Sequence, residues 1–131
     1  MTKKAEGRRQ KAEPTEHAFG SHEDYGVMQI AAERERQILS EGYGPTHDDN
    51  HLNGEIAMAA ACYACLGWVH SSYKHTKASE MEPPNRFPLF WPWANQYWKP
   101  KDDPIRNLAR AGALIAAEID RLSRLQNKEA K

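Results

Sequence analysis

The sequence has little cysteine, no net charge and no long apolar run. Lysine and arginine number 18, against 18 aspartates and glutamates, so the formal net charge is zero. A balanced chain exerts no general attraction on nucleic acid or on a membrane surface, so we expect neither as a direct partner, and any anion site must be local. No apolar run is long enough to span a bilayer. Residues 1–17 also lack the apolar segment of a secretory signal, so we expect a cytoplasmic protein.

The only cysteines, Cys62 and Cys65, stand one turn apart in an alanine-rich segment that is typical of a helix. Thioredoxin-type motifs share this spacing but follow a strand, and no strand pattern precedes this one. The spacing therefore favours buried, apolar thiols. A zinc site with His70 and His75 is the alternative, although the interval between the two pairs is much shorter than in zinc fingers.

Familiar catalytic motifs are missing as well, including the phosphate-binding glycine loops, Gly-x-Ser-x-Gly and His-Glu-x-x-His. No segment alternates as a strand does, and 131 residues suit one domain. The sequence thus predicts no catalytic residue and an all-α fold. We expect a compact bundle of three main helices (residues 23–127) with a long aromatic, proline-rich loop, preceded by a disordered N-terminal tail (residues 1–22).

The first helix is predicted over residues 23–40 and ends at Gly42. Its inward stripe is predicted to comprise Val27, Ile30, Ala31, Arg34 and Ile38. Arg34 continues this stripe, so it points toward an acid or an anionic ligand, or its stem lies along the edge of the core.

The second helix begins near Glu55, after Asn50 or Asn53 as cap. Its predicted apolar face carries Ile56, Ala60, Tyr63, Ala64 and Gly67. The last helix starts with Asp103 as cap and Pro104 at its first position. It then repeats apolar residues at alternating steps of three and four, namely Ile105, Leu108, Gly112, Ile115, Ile119 and Leu122. Such a flat apolar face predicts a homo-oligomer.

Three polar clusters are candidates for chemistry. His47, Asp48, Asp49 and His51, with Glu55, stand in the loop between the first two helices; they suit a divalent metal, ion pairs and turns, or direct contact with a ligand. Lys99, Lys101 and Arg106, with Arg110 as a further candidate, surround the start of the last helix, where backbone N–H groups favour an anion. The third cluster is Glu118 with Asp120 on the last helix. Residues 74–101 hold six aromatic side chains that either cap the core or, as Trp93 and Trp98, stack on a base: Phe87, Phe90, Trp91, Trp93, Tyr97 and Trp98.

The stretches AERERQILSEGYGPTHDDNH, GEIAMAAACYA and WPWANQYWKPKDDPIRNLARAGALIAAEIDRL together resemble a group of small phage and prophage proteins, over about residues 30–122. Within them, ERERQILSEGYGPTHDD is similar to the ryanodine-receptor repeat domain, a small helical module in which an arginine-containing helix leads to a glycine–aromatic turn and acidic residues. That resemblance implies recognition of a nucleotide-derived signal. The segment GEIAMAAACYA departs from the domain's pattern.

A further comparison is with MazG-like nucleotide pyrophosphohydrolases, all-α enzymes that bind magnesium through Glu-x-x-Glu and Glu-x-x-Asp pairs. Here Met58 stands where Glu55 needs an acidic partner, and Arg121 follows Glu118 at the corresponding step. A metal-dependent hydrolase using Glu55, Asp48, Asp49 and Glu118 is therefore one alternative function. A helical adaptor that inhibits a host protein is another.

Our hypothesis from the sequence is a non-catalytic phage-type protein that binds a small anionic ligand, a nucleotide or a nucleotide-derived host immune messenger. No cofactor is expected, apart from a divalent metal as an alternative. The predicted ligand-binding residues are Arg34, His47, Asp48, Asp49, His51, Trp93, Trp98, Lys99, Lys101 and Arg106.

Overall fold

The structure, a computed structural model, describes residues 24–72, 77–86 and 89–130. These residues form the helices α1 (Tyr25–Glu41), α2 (Pro45–Asp49), α3 (Glu55–Ser72) and α4 (Pro104–Ala130), and 3₁₀ turns at Ala78–Glu80 and Asn95–Tyr97. A two-residue antiparallel pair joins β1 (Asn85–Arg86) to β2 (Leu89–Phe90). The all-α prediction is confirmed in outline, with a short fourth helix added. The predicted tail, His75 and Phe87 lie outside the described residues.

The helix ends follow from local sequence signals. Gly42 ends α1 in the left-handed conformation (φ 76°), which glycine adopts without steric cost, and the Tyr43 N–H donates to Gln37 O at 3.0 Å. At the start of α4, the Ile105 N–H donates to the Asp103 carboxylate at 2.9 Å. The predicted stop and cap are confirmed. Asn53 contributes a backbone N–H to Glu55 Oε1 (2.7 Å) at the start of α3.

The core lies where α3 packs against α4. Small buried residues on both helices allow a close approach: Ala59, Ala60, Ala111, Ala113 and Ala117. Ile56, Ala60 and Tyr63 are buried as predicted, whereas Ala64 is exposed. Trp91 and Trp98 cover one side of Tyr63, with ring centroids 5.6 and 4.7 Å away. Part of the aromatic segment therefore completes the core.

The predicted inward stripe of α1 is wrong for two of its members, because Val27 and Ala31 are exposed. The buried residues are instead Glu33 and Gln37, which lie next to the predicted stripe around the helix. The reason lies in the neighbouring helix: Arg110 of α4 places its Nε 3.7 Å from Glu33 Oε2. The charged partner on α4 thus turns the polar side of α1 toward α4.

The apolar stripe of α4 faces away from α3. Five of its members are 40–60% exposed: Ile105, Leu108, Ile115, Ile119 and Leu122. The residues that α4 buries are mostly small or charged, namely Asn107, Ala109, Arg110, Ala111, Ala113, Leu114, Ala117 and Arg121. The sixth stripe position, Gly112, lies under Ile30 of α1. Most of the large aliphatic side chains of α4 are therefore left at the surface of the single chain.

Gly112→Ala should lower the free energy of unfolding by about 1–2 kcal/mol, because overpacking forces a stiff neighbour to move. A Cβ at Gly112 would lie 2.5 Å from Ile30 Cδ1 and 2.6 Å from Cγ1. Urea denaturation measures the change. Gly26→Ala is the matched control: Gly26 is helical and has open space around it, so alanine should raise stability by up to about 1 kcal/mol.

The pair Ile30→Ala and Gly112→Ala should cost less together than the sum of the two single changes, since removing the isoleucine makes room for the new methyl group. Additive effects would contradict the close approach of α1 and α4 at this point.

Candidate functional site

Helix α2 lies within the stretch between the first two predicted helices and buries one of its acids. Asp48 is only 2% exposed. Its Oδ2 lies 3.5 Å from Arg34 Nη2, and its Oδ1 lies 3.1 Å from His47 Nδ1. Arg34 also donates to Tyr43 O (3.1 Å) and lies 3.8 Å from Asp120 on α4. Arg34 is thus paired with acids and with the chain turn that follows α1.

The two histidines of this stretch form a stack of rings that ends at Trp93. Tyr43 stacks on His47 with centroids 4.6 Å apart, and the Nε2 atoms of His47 and His51 lie 3.4 Å apart. The ring of His51 lies 5.1 Å from Trp93. Burial, together with the nearby His47, lowers the pKa of His51, which favours the neutral ring. The histidine stretch (residues 47–51) therefore contacts the aromatic segment (residues 74–101) through His51 and Trp93.

Two further acids near α2, Asp49 and Glu118, are also paired with arginines. Asp49 accepts from Arg124 at 2.8 Å, and Glu118 accepts from Arg121 through two hydrogen bonds of 2.8 and 2.9 Å. The hydrogen bonds that Arg121 donates to Glu118, with the charges of Glu118, Asp49 and Glu55, raise the pKa of Arg121. Within residues 24–72, 77–86 and 89–130, no group of three histidine, cysteine or acidic side chains is arranged to hold a metal ion.

A small, partly open space, here called the aromatic cavity, lies beside Tyr43 and Trp93. Its lining residues are Gln37, Tyr43, Tyr63, Trp91, Trp93, Tyr97, Arg110 and Leu114, and its volume is about 10 Å³. Gln37 is 1% exposed. Among the described residues, neither Gln37 Oε1 nor Trp93 Nε1 has a hydrogen-bond partner. A buried acceptor and a buried donor without partners carry a cost, so this cavity calls for a polar occupant.

Gln37 connects the aromatic cavity to a buried charge cluster. Its Nε2 donates to Glu33 Oε2 at 3.1 Å, and Arg36 binds the same carboxylate with two hydrogen bonds (2.9 and 2.7 Å). Burial raises the pKa of Glu33, but the hydrogen bonds from Arg36 and Gln37 and the charge of Arg110 outweigh it and leave that pKa below its ordinary value. Glu33 is therefore ionised at neutral pH.

A second, more open cavity borders this charge cluster and has a volume of about 130 Å³. Gln29, Ala32, Glu33, Arg36, Arg106 and Ala109 line it. Glu33 borders this cavity and also binds Gln37, which borders the aromatic cavity. Arg36 and Arg106 thus bring positive charge to this second cavity, which the sequence did not indicate for Arg36.

The structure does not bring all the predicted ligand-binding residues together. Arg34 contacts Asp120 on α4. Arg106 lies fourteen residues before Asp120 on the same helix, about 21 Å from it along the helix axis. At the start of α4, Asp103 fills the position predicted for an anion. The backbones of Lys99 and Lys101 are tied to Tyr63 and Asn107, and both residues are exposed.

Trp98 is placed in the core and not on a ligand wall. Its ring stacks on Tyr63, meets Trp91 at 4.9 Å, and its Nε1 donates to Met81 O at 3.0 Å. Of the two tryptophans predicted to stack on a base, only Trp93 borders the aromatic cavity.

Cys62 and Cys65 are free thiols, and Cys62 is buried as the sequence favours. Burial raises the pKa of Cys62 to about 11, so this thiol is unreactive at neutral pH. The side chains of His70 and His75 lie outside the described part of the chain. No helix among the described residues is long and apolar enough to cross a membrane.

The sequence did not assign Gln37 or Tyr43 to a site. It indicated Tyr63 only as part of an apolar helix face and Arg110 only beside the basic start of the last helix. The signal for Gln37 was a glutamate and a glutamine one turn apart on α1. Comparisons with protein-family models, with curated proteins and with solved structures give no match. The function must therefore be argued from the geometry alone.

Proposed function

We propose that this protein binds a small anionic ligand with a planar ring, a nucleotide or a nucleotide-derived signalling molecule, without converting it. The observation that carries the proposal is that Gln37 and Trp93 both line the aromatic cavity, while the buried Gln37 Oε1 and Trp93 Nε1 have no hydrogen-bond partner among the described residues. A nucleobase edge offers donors and acceptors to such groups, and aromatic side chains stack on its faces.

The charges around the aromatic cavity suit an anionic group on the same ligand. The guanidinium of Arg110 lies over the Tyr63 ring, 5.3 Å from its centroid, and borders the cavity. Arg36 and Arg106 border the neighbouring larger cavity. At about 10 Å³ the aromatic cavity has room for about one water, so a ring must displace part of the wall. Tyr97 is the half-exposed part of that wall and is the side chain we expect to move.

The proposal includes the setting implied by the resemblance: a phage protein that sequesters a host immune messenger. It also includes self-association of the chain into a homo-oligomer. The histidine stretch is assigned a supporting part, because His51 lies against Trp93 and so holds one wall of the aromatic cavity in place.

The test is native mass spectrometry and calorimetry of the full chain with a panel of mononucleotides and cyclic nucleotides. We expect at least one ligand to bind and to be recovered unchanged. Gln37→Leu and Trp93→Phe each remove one polar atom, so each should weaken binding about 5–10-fold. Gln96→Leu and Tyr25→Phe are matched controls at exposed positions and should leave binding unchanged. No mass shift and no heat across the panel would overturn the proposal.

A metal-dependent nucleotide hydrolase is the second candidate. The observation in its favour is the charge around α2, where five carboxylates meet three arginines, Arg34, Arg121 and Arg124. The acids are Asp48, Asp49, Glu55, Glu118 and Asp120. Against it stands the pairing of Asp48, Asp49 and Glu118 with arginines. Recovery of a nucleoside monophosphate from a nucleoside triphosphate, only with magnesium present, would select this function over non-catalytic binding.

A further inference from the structure

The apolar stripe of α4 has the spacing of a helix–helix seam but no covering element among the described residues. A face with this repeat is normally buried against another helix. Here α3 covers another side of α4, and α1 reaches the stripe at Gly112 through Ile30, while Ile119 remains 60% exposed. A continuous exposed apolar surface of this kind marks an interaction site.

We propose that the α4 stripe is a symmetric interface in which a second copy of this chain packs its own α4 antiparallel to the first. The inference deepens the self-association proposed above and does not depend on ligand binding. It specifies which residues meet and in which register.

The spacing of the stripe is the first argument for a second copy. The steps between its members are three, four, three, four and three, so the series reads the same in both directions. A two-fold axis between residues 113 and 114 would place each stripe residue opposite another stripe residue. The resulting pairs are Ile105 with Leu122, Leu108 with Ile119, and Gly112 with Ile115. A surface that complements itself in this way fits an isologous two-fold contact.

The midpoint of the stripe shows how the two copies would fit. Gly112 has no side chain, and Ile30 of α1 fills the space beside it. The opposite position is Ile115, which is 49% exposed in the single chain. A large side chain from one copy would thus meet a shallow position of the other, lined by Gly112 and Ile30.

The size of the interface requires α1 as well as α4. From Ile105 to Leu122 the stripe is about 26 Å long and about one helix diameter wide, which is too small by itself for a standard interface of about 800 Å² per partner. Ile30 links the stripe to α1, where Tyr25, Val27 and Met28 are 42–54% exposed. Val27 lies one turn before Ile30 on the same side of α1. We therefore assign this end of α1 to the rim of the interface.

The charge of the surface is the second argument for a second copy. The stripe itself contains no charged residue between Ile105 and Leu122, and the flanking Ala109 and Ala116 are small. A partner selected by charge would need a charged face here. Two copies of a chain with a formal net charge of zero meet without net repulsion.

The first test is sedimentation of the full chain. We expect a concentration-dependent species of twice the 14.9 kDa mass of one chain. Ile115→Glu and Ile119→Glu should each shift the dissociation constant toward monomer by at least about 100-fold, because each buries a charge at the centre of the seam. Leu52→Glu is the matched control: Leu52 is 68% exposed, lies outside α4, and its replacement should leave the dimer intact.

The second test fixes the register, using disulfide formation in a Cys65→Ala background. In an antiparallel pair the two copies of residue 105 are about 25 Å apart, far beyond the reach of a disulfide. Ile105→Cys alone and Leu122→Cys alone should therefore give no cross-linked dimer, whereas an equimolar mixture of the two should form one readily.

Each other outcome overturns the interface. A chain that stays monomeric at all concentrations refutes both the interface and the self-association in the proposed function. A dimer that survives Ile115→Glu and Ile119→Glu places self-association on another surface. Cross-linking of Ile105→Cys with itself shows a parallel seam. None of these results affects the nucleotide panel, so ligand binding and dimerisation fail or hold independently.

Discussion

Arg110→Met should lower the free energy of unfolding by about 3 kcal/mol at pH 7, since breaking a buried ion pair leaves an uncompensated charge behind. Arg110 lies 3.7 Å from Glu33 and 3.6 Å from Glu41, and both carboxylates are held at the junction of α1 and α4. Methionine keeps the length of the side chain but not its charge. Urea denaturation at pH 7 measures the loss.

The same change has a defined pH dependence. Burial raises the pKa of Glu33 and Glu41, but the hydrogen bonds from Arg36 and the charge of Arg110 outweigh it, so both lie below the ordinary 4.5. Carboxylates with a lowered pKa contribute stability that is present above pH 4.5 and is lost as the pH falls through the folded-state value. Without Arg110 the two pKa values rise, so the difference between wild type and variant should shrink below about pH 4.5.

Arg106→Met is the matched control for Arg110→Met. Arg106 stands one turn earlier on α4 and is exposed, so its replacement should change stability by no more than about 0.5 kcal/mol. Equal effects of the two variants, or a difference that does not depend on pH, would contradict a buried charge cluster between α1 and α4.

Trp98→Ala should lower the free energy of unfolding by about 3–5 kcal/mol, the range for removing a large buried aromatic side chain. Trp98 is 8% exposed, stacks on Tyr63 and donates to Met81 O, so the change opens a hole and leaves a carbonyl without its partner. Thermal or urea unfolding of the variant measures the loss. The free energy of unfolding of a domain of this size is about 5–15 kcal/mol, so the variant will be close to unfolding.

If the Trp98→Ala variant does not fold, the stability of Trp98→Phe can be measured instead. This variant retains a ring on Tyr63 but loses the hydrogen bond, so we expect a loss of about 1–2 kcal/mol. Tyr97→Ala, at the half-exposed neighbour, should cost less than either Trp98 variant. If Trp98→Ala proved as mild as Tyr97→Ala, the aromatic segment would not be part of the core.

Features set by neighbouring residues could be predicted from the sequence, and features set by distant residues could not. Gly42 and Asp103 carry their signals within one turn of the helix ends that they form. The face that α1 buries depends on Arg110, which lies some seventy residues further along the chain. A pattern of apolar residues cannot reveal that a glutamate and a glutamine are drawn inward by such a partner.

The candidate site shows the same division. The sequence predicted that Arg34 points inward, with an acidic side chain as one of its alternative partners. In the structure that acidic partner is Asp48. The sequence could not tell whether the histidine stretch and the start of α4 adjoin; in the structure Asp120, which contacts Arg34, lies about 21 Å from Arg106 along α4. Gln37 and Trp93 come from segments far apart in sequence, so the cavity they share was visible only after folding.

Tyr63 and Trp91 border the aromatic cavity and also belong to the hydrophobic core. A ligand that widens this cavity beyond the space freed by Tyr97 must therefore loosen the packing that keeps α3 and α4 covered. The free energy of that opening is subtracted from the intrinsic affinity, at a factor of ten for about every 1.4 kcal/mol. Substitutions that make the core looser should for this reason tighten ligand binding while lowering the melting temperature, so affinity and thermal stability are linked with opposite signs in this small domain.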